Sequence, residues 1–161
     1  TNSINDSPAE SSLENLPDSS SERSTILEQL NENQLQQIQN LLFVIGSRFA
    51  CTDETTLSQL PKLKSTSLSM LEEAIDHMEA KLSPLRNFIL PGGCELASLA
   101  HICRTVSRRA ERSAVKAFLA GQLHIEERKF LNRISDYFFV LARYFNFLEN
   151  IEDVQWKSHE A

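Results

Sequence analysis

Apolar residues recur at helical spacing in the first half of the chain. They step by three and four residues from Leu35 to Phe49, and the same steps return from Leu68 to Leu82. A period near 3.6 residues places such positions on one side of a helix, so two amphipathic helices are predicted. Their apolar positions are Leu35, Ile38, Leu42, Ile45 and Phe49 in the first, and Leu68, Leu71, Ile75, Met78 and Leu82 in the second.

Two longer helices are predicted in the second half. The third ends near Gly121, because glycine often terminates helices, and the fourth extends from about His124 to Asn150. The apolar stripe of the third comprises Leu96, Leu99, Cys103, Val106, Ala110, Ala114 and Ala117. The fourth carries Phe130, Ile134, Tyr137, Phe138, Leu141, Tyr144, Phe145 and Leu148. No segment has convincing strand character, so we predict an all-α, up-and-down helix bundle.

Composition divides the chain into three parts. Residues 1–30 are rich in Ser, Asp and Glu and have no sustained apolar period, which is typical of a mobile segment. Residues 31–150 hold the helical-bundle domain, and residues 151–161 form a C-terminal tail.

Charge and cysteine usage exclude several classes of protein. The 161 residues carry a formal net charge of −6, whereas a general nucleic-acid binder is expected to be basic. The apolar runs are shorter than the ~20 residues of a membrane span, so we expect neither nucleic acid nor membrane as a partner. Three cysteines without a CxxC pair fit a reducing compartment, and with the four histidines they suggest no first-row metal site.

A stripe of charged residues follows the third helix. At 100° per residue, Arg108, Glu111 and Arg112 lie within roughly 80° of Arg104, and Arg109 lies beside them. Arginines at this spacing repel one another, whereas a polyphosphate would neutralise them through bidentate hydrogen bonds. The alternative is an ordinary solvated helix face.

The fourth helix has a polar line on its apolar surface. Asn132, Asp136 and Arg143 lie within roughly 40° of one another, and Arg133 sits beside them. We interpret Asp136 as a candidate partner for an arginine of the third helix, and Asn132 as a donor and acceptor. The alternative is a buried structural network without a ligand.

The connection between the second and third helices contains Phe88, followed by Pro91, Gly92 and Gly93. Glycines permit close approach of a ligand to the backbone. A loop phenylalanine is usually a core residue, and the alternative is a wall for a flat ligand.

Four segments together resemble the PduO-type ATP:cob(I)alamin adenosyltransferases, also called corrinoid adenosyltransferases. They are "LQQIQNLLFVIGSRFA" (35–50), "FILPGG" (88–93), "HICRTVSRRAER" (101–112) and "FLNRISDYFFVLARY" (130–144). The resemblance implies a five-helix bundle that assembles as a homotrimer with active sites between subunits. It also implies transfer of the 5′-deoxyadenosyl group of ATP to cob(I)alamin, giving adenosylcobalamin and triphosphate.

The resemblance also assigns roles to single residues. The residues that correspond to the family's contacts with ATP and its Mg²⁺ are Arg108, Arg109, Glu111, Arg112 and Asn132, with Glu111 the candidate for the metal. Phe88 corresponds to the aromatic residue that blocks the lower face of the corrin. Arg104 corresponds to an arginine that pairs with an acidic residue of a neighbouring subunit. Arg133 and Asp136 correspond to residues that support the site.

The chain departs from the family pattern at its start. Family members carry an upstream Gly/Thr/Lys-rich segment that wraps the ATP phosphates and a first helix with the acidic partner of Arg104. Neither pattern occurs in the 161 residues. We therefore expect a family bundle without its first helix and with part of the nucleotide site, which leaves open whether these residues alone are active.

Two further interpretations and several partners remain to be distinguished. One interpretation is a non-catalytic corrinoid- or ATP-binding relative that acts as a cofactor chaperone or adaptor. The other is a helical interaction module without a ligand. The resemblance suggests a cobalamin-dependent mutase or a reductase as a protein partner. The enlarged Ser-rich segment favours a eukaryotic source and the mitochondrial matrix, and for any other source we expect the cytoplasm.

Overall fold

Five helices make up the fold in the computed structural model, which describes residues 20–119 and 124–157, with side chains for 33–116 and 124–157. The helices are α1 (Ser20–Ala50), α2 (Glu54–Gln59), α3 (Ser65–Glu79), α4 (Glu95–Leu119) and α5 (Ile125–Leu148). The predicted all-α helix bundle is confirmed. The short helix α2 carries no apolar pattern that predicted it, and it forms because Asp53 caps it by accepting a hydrogen bond from the Thr56 N–H (2.6 Å).

The first helix begins earlier than the sequence predicted. It starts at Ser20, inside the segment 1–30 that was predicted to be mobile, so the boundary at residue 30 is not a helix boundary. Residues 1–19 and the expected helix end at Gly121 lie outside the described residues.

Helix α5 forms the centre of the bundle. It is buried on most sides and packs against both α3 and α4, while α1 contributes Ile38 and Ile45 to the same core. A helix that is apolar nearly all round must be covered by neighbours. Burying each large apolar side chain contributes about 1.5–3 kcal/mol. Among the described residues α5 carries more buried apolar side chains than any other helix, so it contributes the largest share of the core.

Helix α4 contacts α5 with a different face from the predicted apolar stripe. Its buried residues are Ala97, Ala100, His101 and Ala114, of which only Ala114 belonged to the stripe. Most of the predicted stripe is exposed instead, and so is the neighbouring Ile102. The exposed residues are Leu96, Leu99, Ile102, Cys103 and Val106. We call these five residues the α4 apolar face. Small alanine side chains let two helices approach closely, which explains why this side of α4 packs on α5.

An ion pair joins α1 to the start of α5. The Arg48 Nε donates to Glu127 Oε1 at 2.6 Å, and both side chains are almost fully buried. The Arg48 Nη1 also reaches the Leu57 carbonyl (3.3 Å), and Glu127 Oε2 accepts from the His124 N–H (2.7 Å). The pair therefore fixes the loop around α2 and caps the first turn of α5.

The segment after α5 folds back onto the bundle. Asn150 adopts a left-handed conformation (φ 55°), and the Ile151 N–H donates to the Asn146 carbonyl (2.8 Å). Residues 154–156 then pair with residues 88–90. The described part of the predicted tail is therefore packed against the loop that carries Phe88.

Candidate functional site

Helices α4 and α5 bring three of the predicted site residues together at Glu111. Its Oε2 lies 3.1 Å from Arg108 Nη1, and its Oε1 accepts a hydrogen bond from Asn132 Nδ2 (3.4 Å). Glu111 is largely buried between the helices, while Arg108 remains about half exposed. The arrangement places a cation, a carboxylate and an amide at one point of the surface.

Arg109 and Arg112 flank this cluster and are exposed. No ion pair joins either guanidinium to a described side chain. With Arg108 they give the second half of α4 three closely spaced positive charges. Guanidinium groups bind phosphate oxygens bidentately and stay charged at any working pH, so this surface is suited to a polyanion.

Arg104 points towards α5. Its guanidinium carbon lies 5.7 Å from the centre of the Phe139 ring, which is a cation–π distance. Its Nε is buried and has no hydrogen-bond partner among the described residues. A buried donor without an acceptor is uncommon in native structures, so the surroundings of Arg104 are incomplete in the single chain.

His101 lies one turn before Arg104 and was not singled out from the sequence. Its ring is buried, 6.4 Å from Phe139, and its Nδ1 has no partner among the described residues. Burial lowers the pKa of His101, and the charge of Arg104 lowers it further against the opposing effect of Asp153. The imidazole is therefore neutral near pH 7.

Asp136 does not pair with the described part of α4, contrary to the prediction. Its Oδ2 accepts from Arg133 Nη1 (3.2 Å) on the same helix, and Arg133 Nε lies 3.9 Å from Glu72 on α3. Residues one turn apart on a helix are natural ion-pair partners. The pair thus sits between α5 and α3 rather than between α5 and α4.

The residues of the predicted polar line on α5 contact different parts of the protein. Asn132 reaches Glu111 on α4, whereas Arg143 binds Asp153 Oδ2 (2.7 Å) and the Ser83 carbonyl (2.8 Å). Arg143 is 8% exposed, so its charge is compensated inside the protein. It matches the alternative of a buried structural network.

Phe88 is not a core residue, because 79% of it is exposed. Its ring contacts Trp156 edge to face, with 6.3 Å between ring centres. The following loop is held by Asn146, whose Nδ2 donates to the Gly92 carbonyl (3.1 Å) and whose Oδ1 accepts from the Cys94 N–H (3.0 Å). Phe88 is therefore an outward-pointing aromatic residue on a well-anchored loop.

Sequence reasoning missed Asn146 and Trp156. A signal for Asn146 existed, since an amide in the very apolar segment "YFNFL" needs partners when buried. Trp156 lay in the predicted tail, where no apolar period drew attention to it.

Neither a metal cluster nor a membrane helix emerges from the described residues. They contain no group of three or more His, Cys, Asp or Glu side chains arranged to hold a metal ion. No helix among them is both long and apolar enough to cross a membrane.

Comparison with known sequences identifies relatives. A family model described as cobalamin adenosyltransferase matches residues 11–145. The chain is 42% identical over 124 residues to the corrinoid adenosyltransferase of Bacillus subtilis (strain 168), covering 77% of this chain and 63% of the relative. It is 38% identical over 133 residues to corrinoid adenosyltransferase MMAB of Mus musculus, covering 80% and 55%. The chain thus spans less than two thirds of the length of these curated relatives.

Solved structures show the same fold. A variant PduO-type ATP:corrinoid adenosyltransferase from Lactobacillus reuteri, complexed with cobalamin and ATP, matches with a TM-score of 0.73 and 34% identity over 92% of this chain and 78% of that chain. A second variant of this description, also complexed with cobalamin and ATP, gives a TM-score of 0.75 at 33% identity, over 92% and 76% of the two chains.

Proposed function

Because this chain belongs to the cobalamin adenosyltransferase family, we propose that the complete protein transfers the 5′-deoxyadenosyl group of ATP to cob(I)alamin. The Co(I) electron pair attacks the ribose C5′, a Co–C bond forms, and the C5′–O bond breaks with its electrons leaving on triphosphate. Cobalt is the nucleophile, so the protein binds and orients the two substrates rather than attacking either.

The observation that carries this proposal is the contact of Glu111 with both Arg108 and Asn132. It joins the arginines of α4 to the amide of α5 in one polar cluster. We assign Arg108, Arg109 and Arg112 to the triphosphate and Asn132 to ATP. Triphosphate leaves with high negative charge, which guanidinium groups stabilise best when they are fixed in advance.

Mg²⁺ is the metal expected with ATP, and Glu111 fits it as an oxygen ligand. Magnesium is usually held by one or two carboxylates together with substrate phosphates. Glu111 is the only acidic side chain of the charged stripe. Each of its two oxygens contacts one donor, which leaves a lone pair on each oxygen for a metal ion. When bound, the metal would neutralise phosphate charge beside the arginines, and Glu111 would position it.

We assign Phe88 to the lower face of the corrin, with Arg133 and Asp136 in supporting positions. An exposed aromatic ring on an anchored loop suits contact with a flat macrocycle. Displacing the lower axial base leaves cobalt four-coordinate, which favours its reduction to Co(I).

We propose a homotrimer with sites shared between neighbouring copies. The Phe88 loop is anchored at Asn146 and the charged cluster at Asn132, and these lie about 21 Å apart along α5 at 1.5 Å per residue. ATP bound at the charged cluster reaches a corrin bound at Phe88 more readily if the two regions come from adjacent chains. The exposed α4 apolar face and the unpaired Arg104 Nε support a neighbouring surface at α4, with an acidic residue opposite Arg104.

Localisation and protein partners rest on the sequence alone. For a eukaryotic source we propose the mitochondrial matrix, and otherwise the cytoplasm. As a protein partner we propose a reductase that supplies Co(I) or a cobalamin-dependent mutase that receives the product.

The proposal is tested with cob(I)alamin generated anaerobically and mixed with MgATP and the full-length protein. Appearance of the adenosylcobalamin absorption spectrum supports the transferase. Binding of both substrates without conversion would instead indicate a cofactor chaperone or adaptor.

Arg108→Ala tests the assignment of the phosphate site. Loss of a charged hydrogen bond costs about 1.5–3 kcal/mol, so ATP affinity should fall at least about tenfold with unchanged helix content, as measured by calorimetry and circular dichroism. Lys129→Ala, which removes an exposed charge paired with Glu126 on α5, is the matched control and should bind ATP normally. Equal ATP affinity in the two variants would refute the role of Arg108.

A further inference from the structure

Two short segments form an antiparallel ribbon beside the end of α5. The Leu90 N–H donates to the Val154 carbonyl (2.7 Å), and the Trp156 N–H donates to the Phe88 carbonyl (2.8 Å). Ile89 therefore lies opposite Gln155, and Phe88 lies opposite Trp156. We call residues 88–90 and 154–156 the aromatic ribbon.

One face of the aromatic ribbon is apolar and exposed. Side chains alternate between the two faces of a strand, which places four apolar residues on the same side: Phe88, Leu90, Val154 and Trp156. Each is at least 46% exposed, whereas Ile89 on the opposite side is half-buried. A concentration of exposed apolar surface on so short a segment is the signature of a binding surface.

Two buried side chains of α5 hold the aromatic ribbon in place. Arg143 ties Asp153, just before the second segment, to the Ser83 carbonyl. Asn146, one turn later on the same helix, ties Gly92 to Cys94 just after the first segment. Both segments are thus fixed to the most deeply buried helix, so the exposed rings sit on a rigid support.

We propose that Trp156 is a second aromatic residue of the corrinoid site, and that its segment positions Phe88. This inference rests on the proposed function. A corrin ring is several times wider than a phenyl ring, so Phe88 alone covers only part of one face. The Phe88 and Trp156 rings are inclined at 78° to each other, so the corrin can lie over one ring while its edge contacts the other. The indole N–H adds a donor suited to the amide groups at the corrin rim.

Positioning of Phe88 follows from the backbone bonds. The Phe88 carbonyl accepts from the Trp156 N–H, and the edge of one ring packs on the face of the other. Truncating Trp156 removes the ring contact but keeps the main-chain bond. Phe88 then stays on the surface with a less defined orientation.

The test compares Trp156→Ala and Trp156→Phe with the unmodified full-length protein. Cob(II)alamin is titrated in the presence of MgATP, and the four-coordinate fraction is followed by electron paramagnetic resonance. The KM for the corrinoid is measured separately, from the initial rate of adenosylcobalamin formation at varied cob(I)alamin concentration. We expect Trp156→Ala to raise the KM for the corrinoid about tenfold or more, as truncation of an aromatic contact does, and to lower the four-coordinate fraction. Trp156→Phe should retain most of both properties, and ATP affinity should be unchanged in both variants.

The outcomes separate this inference from the proposed function. If the unmodified protein converts cob(I)alamin and Trp156→Ala has the same corrinoid KM and four-coordinate fraction, the inference is wrong while the function stands. If the unmodified protein neither binds nor converts a corrinoid, both are wrong. Because Trp156 is half exposed, unchanged ATP affinity and helix content identify a folded variant.

Discussion

At the scale of single residues, the buried polar groups fall into two kinds. Arg48, Glu127 and Asn146 find partners within the chain. Four buried atoms have no hydrogen-bond partner among the described residues: His101 Nδ1, Arg104 Nε, Arg133 Nε and the Tyr144 hydroxyl. An unsatisfied buried polar group costs about 1–3 kcal/mol. Two of these residues, His101 and Arg104, lie together beside Phe139 on one side of α4, so unsatisfied groups are concentrated there.

Arg48→Ala should be strongly destabilising. It leaves the Glu127 carboxylate buried without its cation, which typically costs about 3–5 kcal/mol in free energy of unfolding. Urea unfolding measures the change, with Lys129→Ala as the control, since its exposed pair with Glu126 should contribute less than about 1 kcal/mol. Similar losses in the two variants would show that the Arg48–Glu127 pair does not stabilise the fold.

His101 makes stability depend on pH. Its pKa is lowered by folding from the usual 6.5, so the unfolded chain takes up a proton first as the pH falls. The free energy of unfolding therefore decreases as the pH drops below about 6.5 and stops decreasing below the folded pKa.

Replacing His101 isolates this contribution. Urea unfolding at about pH 7.5 and about pH 5.5 should show a smaller loss for His101→Gln than for the unmodified protein. Identical losses would mean that His101 is not the group responsible.

At the scale of elements, the helix pattern was predictable and the packing of α4 was not. The apolar steps from Leu35 to Phe49 and from Leu68 to Leu82 lie in α1 and largely in α3. The sequence also identified the apolar stripe from Leu96 to Val106. Periodicity cannot show, however, whether an apolar face packs inside its own chain or remains exposed for contact with another molecule. Alanines and the buried His101 cover α5 instead.

The site was predictable to a similar extent. Spacing alone placed Arg108, Glu111 and Arg112 on one stripe, and Glu111 indeed contacts Arg108 and Asn132. The partner of Asp136 was mistaken, because the sequence cannot show whether a polar side chain on α5 turns towards α3 or α4. In the structure Arg143 binds Asp153 and the Ser83 carbonyl, both outside its own helix, and helical spacing cannot reveal such partners.

Gly93→Ala tests the loop that introduces α4. Gly93 has φ 109°, and an added Cβ would collide with the Asn146 side chain. We expect a loss of about 1–3 kcal/mol in free energy of unfolding, measured in urea. Gly46→Ala is the contrasting control, because its Cβ meets nothing within 4 Å, and in a helix it should add about 0.5–1 kcal/mol. Equal effects at the two positions would contradict this account of Gly93.

At the scale of the whole molecule, the α4 apolar face is an apolar surface that the described part of the chain leaves uncovered. It places Leu99, Ile102 and Val106, each 46% or more exposed, along the same helix as the unpaired Arg104 Nε. An exposed apolar stripe of this kind typically marks an interface. The proposed homotrimer provides a cover for it.

Ile102→Glu should dissociate the proposed trimer, because it would bury a carboxylate in an apolar contact. Sedimentation equilibrium of the unmodified protein should give three times the mass of one chain, and the variant should give a smaller mass. Thr55→Glu, which adds the same charge at an exposed position of α2, should leave the mass unchanged. A monomeric unmodified protein would refute the trimer, and a trimeric Ile102→Glu variant would exclude the α4 apolar face from its interface.

The central position of α5 has a consequence for synthesis in the cell. The ribosome releases α5 after the four other helices, yet α3 and α4 both pack against it. Until α5 emerges, their apolar side chains have no core to enter and remain open to aggregation and to chaperones. The nascent chain is therefore expected to fold late and in one cooperative step, with the backbone amides of α5 the last to exchange with deuterium once folding is complete.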